Sequence, residues 1–129
     1  MRFMMFMIPN LAAEDYMPTA EKVAEMTKYN EVLVAAGVLL AADGLHPLGA
    51  GDQVVFDSGK AAVKDGPYSE AKEVIGGYWM LQCKSKEEAE AWALRVPGDP
   101  NNVIEVRQVF EMDDFPADVQ AAANPDLLS

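Results

Sequence analysis

Apolar and polar positions along the chain predict an alternation of strands and helices. Residues 3–8 form a short, continuous apolar run, which is typical of a strand covered on both faces. Residues 19–36 have apolar positions at helical spacing and predict a helix. A second strand is predicted over 38–42, and a hairpin over 53–56 and 61–63. The buried stripe of the helix is predicted to contain Val23, Met26, Asn30, Leu33 and Val34.

The second half of the chain repeats this order. Residues 76–84 predict a strand that begins with Gly76 and Gly77. Such a glycine pair is typical of a bulge or of close approach by another backbone or a ligand. Ser85 and Glu88 have the spacing of a capping box, so a helix is expected to begin there. Residues 102–110 predict the last strand. The buried stripe of this second helix is predicted to be Ala89, Trp92, Ala93 and Val96.

The order β-α-β, hairpin, β-α-β predicts an α+β fold of the ferredoxin-like, split βαβ kind. In this fold two helices cover one face of an antiparallel sheet, and the hairpin is an insertion. The other face is left bare, and in a chain that is 50% apolar a second copy is its simplest cover. We therefore expect a homodimer. Residues 1–115 are predicted to form a single domain, and 116–129 an acidic tail that is either a solvated arm or a subunit-wrapping segment.

Charge and cysteine content argue against several classes of function. The net charge of −11 over 129 residues disfavours nucleic acid and anionic membrane surfaces as partners. Cys83 is the only cysteine, so no intrachain disulfide can form and a reducing, cytoplasmic location is predicted. No apolar run approaches the length of a membrane span. One histidine, scattered carboxylates and no Gly-rich phosphate loop predict neither a metal site nor a cofactor.

The candidate chemistry centres on one loop and one histidine. Residues 65–73 read DGPYSEAKE and begin with a turn signature. His46, in a Gly-Leu-His-Pro loop, suits general acid–base catalysis, and the Asp65 carboxylate could orient its ring. The alternatives are a histidine that hydrogen-bonds loop backbone and an aspartate that accepts backbone N–H groups within the turn. Glu70 and Lys72 are candidates for binding a polar substrate, although their spacing equally suits local pairing.

Aromatic residues near this loop are candidates for a pocket. Tyr68, Tyr78 and Trp79 could line an apolar pocket with their polar tips, while packing against the sheet is the alternative. Cys83 has no histidine near it in the sequence. It is therefore expected to be a small buried hydrophobic residue rather than a nucleophile.

The same loop resembles the signature of a known family. DGPYSEAKE, followed by GGYW at 76–79, is similar to the motif of the DGPF-type branch of the YCII-related family, with Tyr68 in place of the usual Phe. The resemblance spans roughly residues 3–115. Further matching stretches lie at 37–40, 44–47, 88–93 and 104–109.

The resemblance implies a ferredoxin-like fold assembled as a dimeric α+β barrel. Some relatives are lyases or dehalogenating enzymes acting on small cyclic compounds, with a His–Asp pair that His46 and Asp65 would match here. Two main hypotheses follow. The first is a cofactor-free dimer that binds a small organic metabolite and performs lyase- or isomerase-type chemistry. The second is a non-enzymatic accessory or sensor protein with a regulatory partner, because DGPF members accompany extracytoplasmic-function sigma factors. A purely structural dimer is a third interpretation.

Overall fold

The computed structural model describes residues 1–9, 18–46, 51–65, 75–100 and 102–123, with backbone only at 64 and 65. This part of the chain forms six strands and three helices. The strands are β1 (Arg2–Ile8), β2 (Leu39–Gly44), β3 (Asp52–Asp57), β4 (Lys60–Asp65), β5 (Gly77–Gln82) and β6 (Val103–Gln108). The helices are α1 (Ala20–Ala35), α2 (Lys86–Ala93) and α3 (Ala117–Ala122), and a 3₁₀ turn covers Met112–Asp114. Among the described residues, no helix is both long and apolar enough to cross a membrane.

The sheet has the ferredoxin-like order. Four strands pair in the order β2-β5-β1-β6, and every neighbouring pair is antiparallel. Because β5 lies between β1 and β2, the first β-α-β unit is split, as predicted. Strands β3 and β4 form a separate two-stranded ribbon, which is the predicted hairpin insertion. The predicted α+β, split βαβ fold is confirmed.

Both main helices begin at the predicted residues, and α1 also ends where predicted, whereas α2 ends at Ala93, before the predicted stripe residue Val96. The Thr19 hydroxyl accepts a hydrogen bond from a backbone N–H of the first turn of α1, and Gly37 takes the left-handed conformation that ends this helix. At α2, the Ser85 hydroxyl accepts from the Glu88 N–H at 3.1 Å. The Glu88 carboxylate in turn accepts from the Lys84 N–H at 3.1 Å. Local capping groups therefore define where α1 begins and ends and where α2 begins.

The core lies between α1, α2 and one face of the sheet. Side chains alternate along each strand, so Phe3 and Met5 of β1 point to the same face as Trp79 and Leu81 of β5. The register places Phe3 opposite Leu81 and Met5 opposite Trp79. Leu33 of α1 packs onto them and is fully buried. Non-local pairs of large side chains thus hold the sheet and the helices together.

The predicted buried stripe of α1 was wrong at two positions. Leu33 is buried and Met26 packs against the core, but Val23 and Val34 are 50% and 63% exposed. Tyr29 takes an inner position instead. Successive residues turn about 100° around a helix, so Val34 points well away from Leu33 although both are apolar. Of the stripe predicted for the second helix, Ala89 is buried and Trp92 and Ala93 are half-buried within α2. Val96 also packs against the core, but it lies beyond the end of α2.

The C-terminal segment carries structure that the sequence analysis did not predict. The Arg2 guanidinium donates two hydrogen bonds to the Glu111 carboxylate, at 2.8 and 3.2 Å. These bonds from Arg2 lower the pKa of Glu111. Beyond this pair, the rings of Phe110 and Phe115 stack at 4.7 Å between centroids, and α3 follows. Residues 116–123 of the predicted tail are therefore largely helical, and the proposed subunit-wrapping role stays a prediction.

Replacing Leu33 by alanine tests this core. The Leu33→Ala variant should lower the free energy of unfolding by about 2–5 kcal/mol, because it leaves a cavity beneath α1. The matched control is Val34→Ala on the same helix, which should change stability by about 0.5 kcal/mol or less because its side chain is mostly exposed. Urea denaturation of both variants measures the difference. Equal losses would contradict the described orientation of α1.

Candidate functional site

A cleft of about 730 Å³ opens between α1 and one end of the sheet. The C-terminal ends of β1 and β2 and the N-terminal end of β5 lie at this end of the sheet, because β5 runs antiparallel to both. The segment between α2 and β6 forms a further wall. The cleft is lined by Met7, Pro9, Pro18, Thr19, Lys22, Val23, Met26, Thr27, Asn30, Ala42, Asp43, Gly44, Leu45, His46, Gly76, Gly77, Tyr78, Trp79, Pro97, Asp99 and Asn102.

The backbone at the floor of the cleft is tightly packed around Gly77. A Cβ atom on Gly77 would lie 3.1 Å from the carbonyl oxygen of Asp43, on the neighbouring strand. The Leu45 N–H donates to the Gly76 carbonyl at 2.9 Å, and the Gly76 N–H donates to the Met7 carbonyl at 2.7 Å. The predicted close approach of another backbone is confirmed here. These contacts fix the strand ends from which the cleft side chains project.

Trp79 joins the core to the cleft wall. Its indole N–H donates a hydrogen bond of 2.9 Å to the Asn30 Oδ1 atom. The Tyr29 ring meets the indole edge-on, at 6.0 Å between centroids and 89° between planes. Burial raises the pKa of Tyr29 to about 12, so its hydroxyl stays protonated and donates to the Trp92 carbonyl at 2.7 Å. Trp79 is thus held by the Tyr29 ring and by the Asn30 amide, and it fixes the position of that amide in turn.

Tyr78 and Asp43 form a second polar pair at the cleft. The Tyr78 hydroxyl donates to the Asp43 Oδ2 atom at 2.8 Å. This hydrogen bond raises the pKa of Tyr78, because the neutral phenol is the donor that the carboxylate stabilises. The pair bridges β5 and β2 and leaves the Asp43 Oδ1 atom as an acceptor at the cleft edge.

A salt bridge connects two walls of the cleft. Lys22 Nζ of α1 lies 2.6 Å from Asp99 Oδ1, in the segment between α2 and β6, and 3.3 Å from Glu25 Oε2. The pKa of Lys22 is raised mainly by its hydrogen bond to Asp99 and, after that, by its hydrogen bond to Glu25. The ammonium group is therefore already engaged by two acidic side chains.

Two of the predicted site residues lie on this cleft. His46 lies on the cleft wall, exposed and two positions beyond the end of β2. Tyr78 lines the cleft from the start of β5. Trp79 both lines the cleft and packs in the core, so its two proposed roles coexist. The structure thus brings together the histidine and the aromatic residues that follow Gly77.

The remaining predicted site residues belong to the 65–73 sequence motif. Asp65 is the last residue of β4 and pairs with Asp52 of β3. The structure describes its backbone and not its side chain. Tyr68, Glu70 and Lys72 lie outside the described residues. The pairing of His46 with Asp65 and the substrate-binding roles of the loop therefore stay predictions.

Sequence reasoning missed Asp43 and Asn30 as cleft residues. Asp43 directly follows the strand predicted over 38–42, and only the antiparallel register brings it to Tyr78. Asn30 was placed on the inner stripe of α1 without a role. A polar side chain among apolar ones on a helix face needs a hydrogen-bond partner, and that was the available signal.

The described residues offer little for metal or thiol chemistry. No group of three or more histidine, cysteine, aspartate or glutamate side chains among them could hold a metal ion. Cys83 is buried in the core, as predicted, and burial raises the pKa of its thiol. A thiol that resists ionisation in this way is a poor nucleophile.

The fold and the cleft define a ferredoxin-like α+β protein with a ligand-sized cleft lined by its histidine. The family profile of the YCII-related domain matches residues 1–113, and the chain belongs to the YCII-related family. Its placement in the DGPF-type branch stays a prediction. Comparison with curated proteins gave no match.

Among solved structures, the chain is similar to 5-chloro-2-hydroxyhydroquinone dehydrochlorinase from Burkholderia phenoliruptrix, solved in complex with 2,5-dihydroxybenzoquinone. The two chains are 15% identical, and their TM-score is 0.47. The similarity covers 88% of this chain and 98% of the other.

Adding a methyl group at Gly77 tests the close packing at the cleft floor. The Gly77→Ala variant should lower the free energy of unfolding by about 1–3 kcal/mol, because the new Cβ pushes against the backbone of β2. Gly44→Ala is the control, since Gly44 is the cross-strand partner and a Cβ there meets no atom within 4 Å. Thermal denaturation compares the two. A Gly77→Ala variant as stable as Gly44→Ala would contradict the described backbone contact.

Proposed function

We propose that this protein binds a small organic molecule in the cleft, as a homodimer without a cofactor, and that His46 and Asp65 perform lyase- or isomerase-type chemistry on it. The observation that carries the proposal is an apolar cleft of ligand size with His46 on its wall. We also keep a cytoplasmic location as part of the proposal, since the only cysteine is unpaired and buried.

The composition of the cleft supports small-molecule binding. Its volume of about 730 Å³ falls within the range of about 300–1,000 Å³ that ligand sites occupy. Met7, Val23 and Met26 supply apolar walls, together with the Trp79 indole. A few polar groups, such as the Asn30 amide, interrupt these walls and can fix the orientation of a ligand.

The position of His46 supports acid–base chemistry. Its ring is exposed and has no hydrogen-bond partner among the described residues, so either nitrogen can exchange a proton with a ligand. The segment that begins at Asp65 returns to Gly76, which is hydrogen-bonded to Leu45 beside the histidine. A carboxylate arriving from that segment would hold the second ring nitrogen. Tyr68, Glu70, Lys72 and Tyr78 remain the proposed substrate-binding residues.

Cofactor-free lyases and isomerases need little more than a positioned base. In the proposed step, a neutral His46 nitrogen removes a proton from a carbon next to an electron-withdrawing group. The electron pair left behind either expels a leaving group from the neighbouring carbon or accepts a proton at a new position. In either case the proton comes from the imidazolium, which gives it to the leaving group or to the new position, and neutral His46 is restored.

Ligand screening by NMR tests the site, because the one histidine gives a single set of ring signals. Compounds that bind in the cleft should shift these ring signals, and each compound that binds is then followed over time for conversion. His46→Ala should lower the conversion rate about 10²–10⁴-fold, as expected for loss of an acid–base group. Its binding, followed through the indole N–H signal of Trp79 on the cleft because the variant has no histidine, should stay within a few-fold of the wild type.

Asp65→Asn should lower the conversion rate as well, whereas Asp52→Asn, its cross-strand partner in the hairpin, should not. If conversion persists unchanged in both His46→Ala and Asp65→Asn, the acid–base assignment is wrong.

The second face of the sheet supports the proposed homodimer. Met4, Phe6 and Ile8 of β1 alternate with the core residues and point to this face, where Met80 of β5 joins them. Helices α1 and α2 contribute to the core on the opposite side of the sheet, so neither of them covers this face. Two such faces packed together would form the α+β barrel that the sequence resemblance implies.

A charge on that face tests the dimer. Phe6→Asp should convert the dimer to a monomer in light scattering coupled to size exclusion, because it buries an unpaired carboxylate between the two sheets. Leu94→Asp, at an exposed apolar position at the end of α2, should leave the mass unchanged. A wild-type protein that is monomeric at every accessible concentration would rule out the proposed assembly.

The alternative function is that of an accessory protein for a transcription regulator such as an extracytoplasmic-function sigma factor. The net charge of −11 favours a basic protein surface as partner. Salt-sensitive capture of such a factor, together with no conversion of any bound compound, would favour this alternative over the enzyme.

A further inference from the structure

The Asn30 side chain presents one defined hydrogen-bonding group to the cleft. The Trp79 indole N–H can only donate, so the Asn30 atom that it contacts at 2.9 Å must be the amide oxygen. The orientation of the amide is thereby fixed. Its NH₂ group is left with no hydrogen-bond partner among the described residues, and Asn30 lines the cleft.

The surroundings make this donor rigid before any ligand arrives. Trp79 is only 4% exposed and packs edge-on against Tyr29, whose hydroxyl is tied to the Trp92 carbonyl at 2.7 Å. A donor held in place by buried neighbours loses little conformational freedom when it binds an acceptor. Apolar walls around it, including Met26, strengthen the hydrogen bond because they exclude water.

The charges around the cleft disfavour an anionic ligand. Asp43 and Asp99 lie on its walls. Among the described residues that line the cleft, Lys22 is the only lysine or arginine. Lys22 is already paired with Asp99 and with Glu25. An entering anion would therefore meet carboxylates and no unpaired ammonium or guanidinium group on the described walls.

We infer that Asn30 is a specificity-determining residue whose NH₂ group donates a hydrogen bond to an acceptor oxygen, such as a carbonyl, on an uncharged, largely apolar ligand. This inference rests on the proposed function, since it requires that the cleft bind a small molecule. It adds the class of ligand and the residue that selects it.

Three probes of similar size and different polarity test the inference. Acetophenone carries an uncharged acceptor, benzoate carries a charged one, and ethylbenzene carries none. Binding is followed through the Trp79 indole N–H signal in NMR, which a Trp92→Phe variant separates from that of the second tryptophan. Acetophenone should bind the wild-type protein about tenfold more tightly than ethylbenzene, which is a typical gain for one hydrogen bond in an apolar site. Benzoate should bind more weakly than acetophenone.

The Asn30→Asp variant separates recognition from structure. Its carboxylate can still accept the Trp79 N–H, so the indole signal should keep its hydrogen-bonded position, but it has no N–H to donate. Acetophenone should then bind about tenfold more weakly than to the wild type. Ethylbenzene should change less than about twofold, because it makes no hydrogen bond.

The outcomes distinguish this inference from the proposed function. If none of the probes shifts the Trp79 signal, small-molecule binding in the cleft is contradicted. If the probes bind but the wild-type protein does not prefer acetophenone, or if Asn30→Asp weakens acetophenone and ethylbenzene alike, the inference is overturned and binding in the cleft still stands. The wild-type preference can be measured even if the variant does not fold.

Discussion

The hydrogen bond between Trp79 and Asn30 links the packed core of this protein to its cleft. A buried indole N–H without an acceptor would cost about 1–3 kcal/mol, so a core that uses Trp79 needs a polar partner close by. Asn30 is that partner, and it comes from the helix that forms the cleft wall. The spacing between α1 and the sheet is therefore set by a polar contact as well as by apolar packing. That same contact decides which end of the amide faces the cleft.

The backbone around Gly77 imposes a second constraint of the same kind. The carbonyl of Asp43 comes so close to Gly77 that a side chain at this position would push β2 and β5 apart. Asp43 and Tyr78 are held across the same two strands by their own hydrogen bond. The close pairing of β2 and β5 thus holds Asp43 beside Tyr78. It also positions the end of β2, from which the chain continues to His46. An enzyme or a binding protein needs this kind of rigid edge to position side chains.

The fold could be predicted from the sequence because its signals are local. Alternating and helical apolar periods define the elements, and Thr19, Gly37 and Ser85 mark helix ends through contacts within a few residues. Their order along the chain then leaves few topologies to choose from. The error at Val34 has a local cause as well, since Val34 follows Leu33 directly and adjacent residues cannot both point to one side of a helix. Val23 is exposed because it faces the cleft.

Much less of the candidate site could be predicted, because its contacts are distant in sequence. Tyr78 and Asp43 are 35 positions apart, and Trp79 and Asn30 are 49 apart. Which polar groups meet depends on strand register and on the rotation of α1, and neither is encoded in a short motif. The histidine was found because its residue type suggests chemistry wherever it lies. Asn30 has no such mark, and only the three-dimensional contact shows that its amide is fixed.

The cleft therefore combines two kinds of polar group with different freedom. Asn30 is immobilised by buried aromatic neighbours, whereas the His46 ring is exposed and has no hydrogen-bond partner among the described residues. Recognition benefits from a rigid donor, because little ordering is required when the ligand arrives. Proton transfer requires a base that becomes aligned with the ligand, and such alignment is often completed only in the complex. Under the proposed function, a ligand held at Asn30 would have its reactive carbon in a fixed place, within the same cleft that the exposed histidine lines.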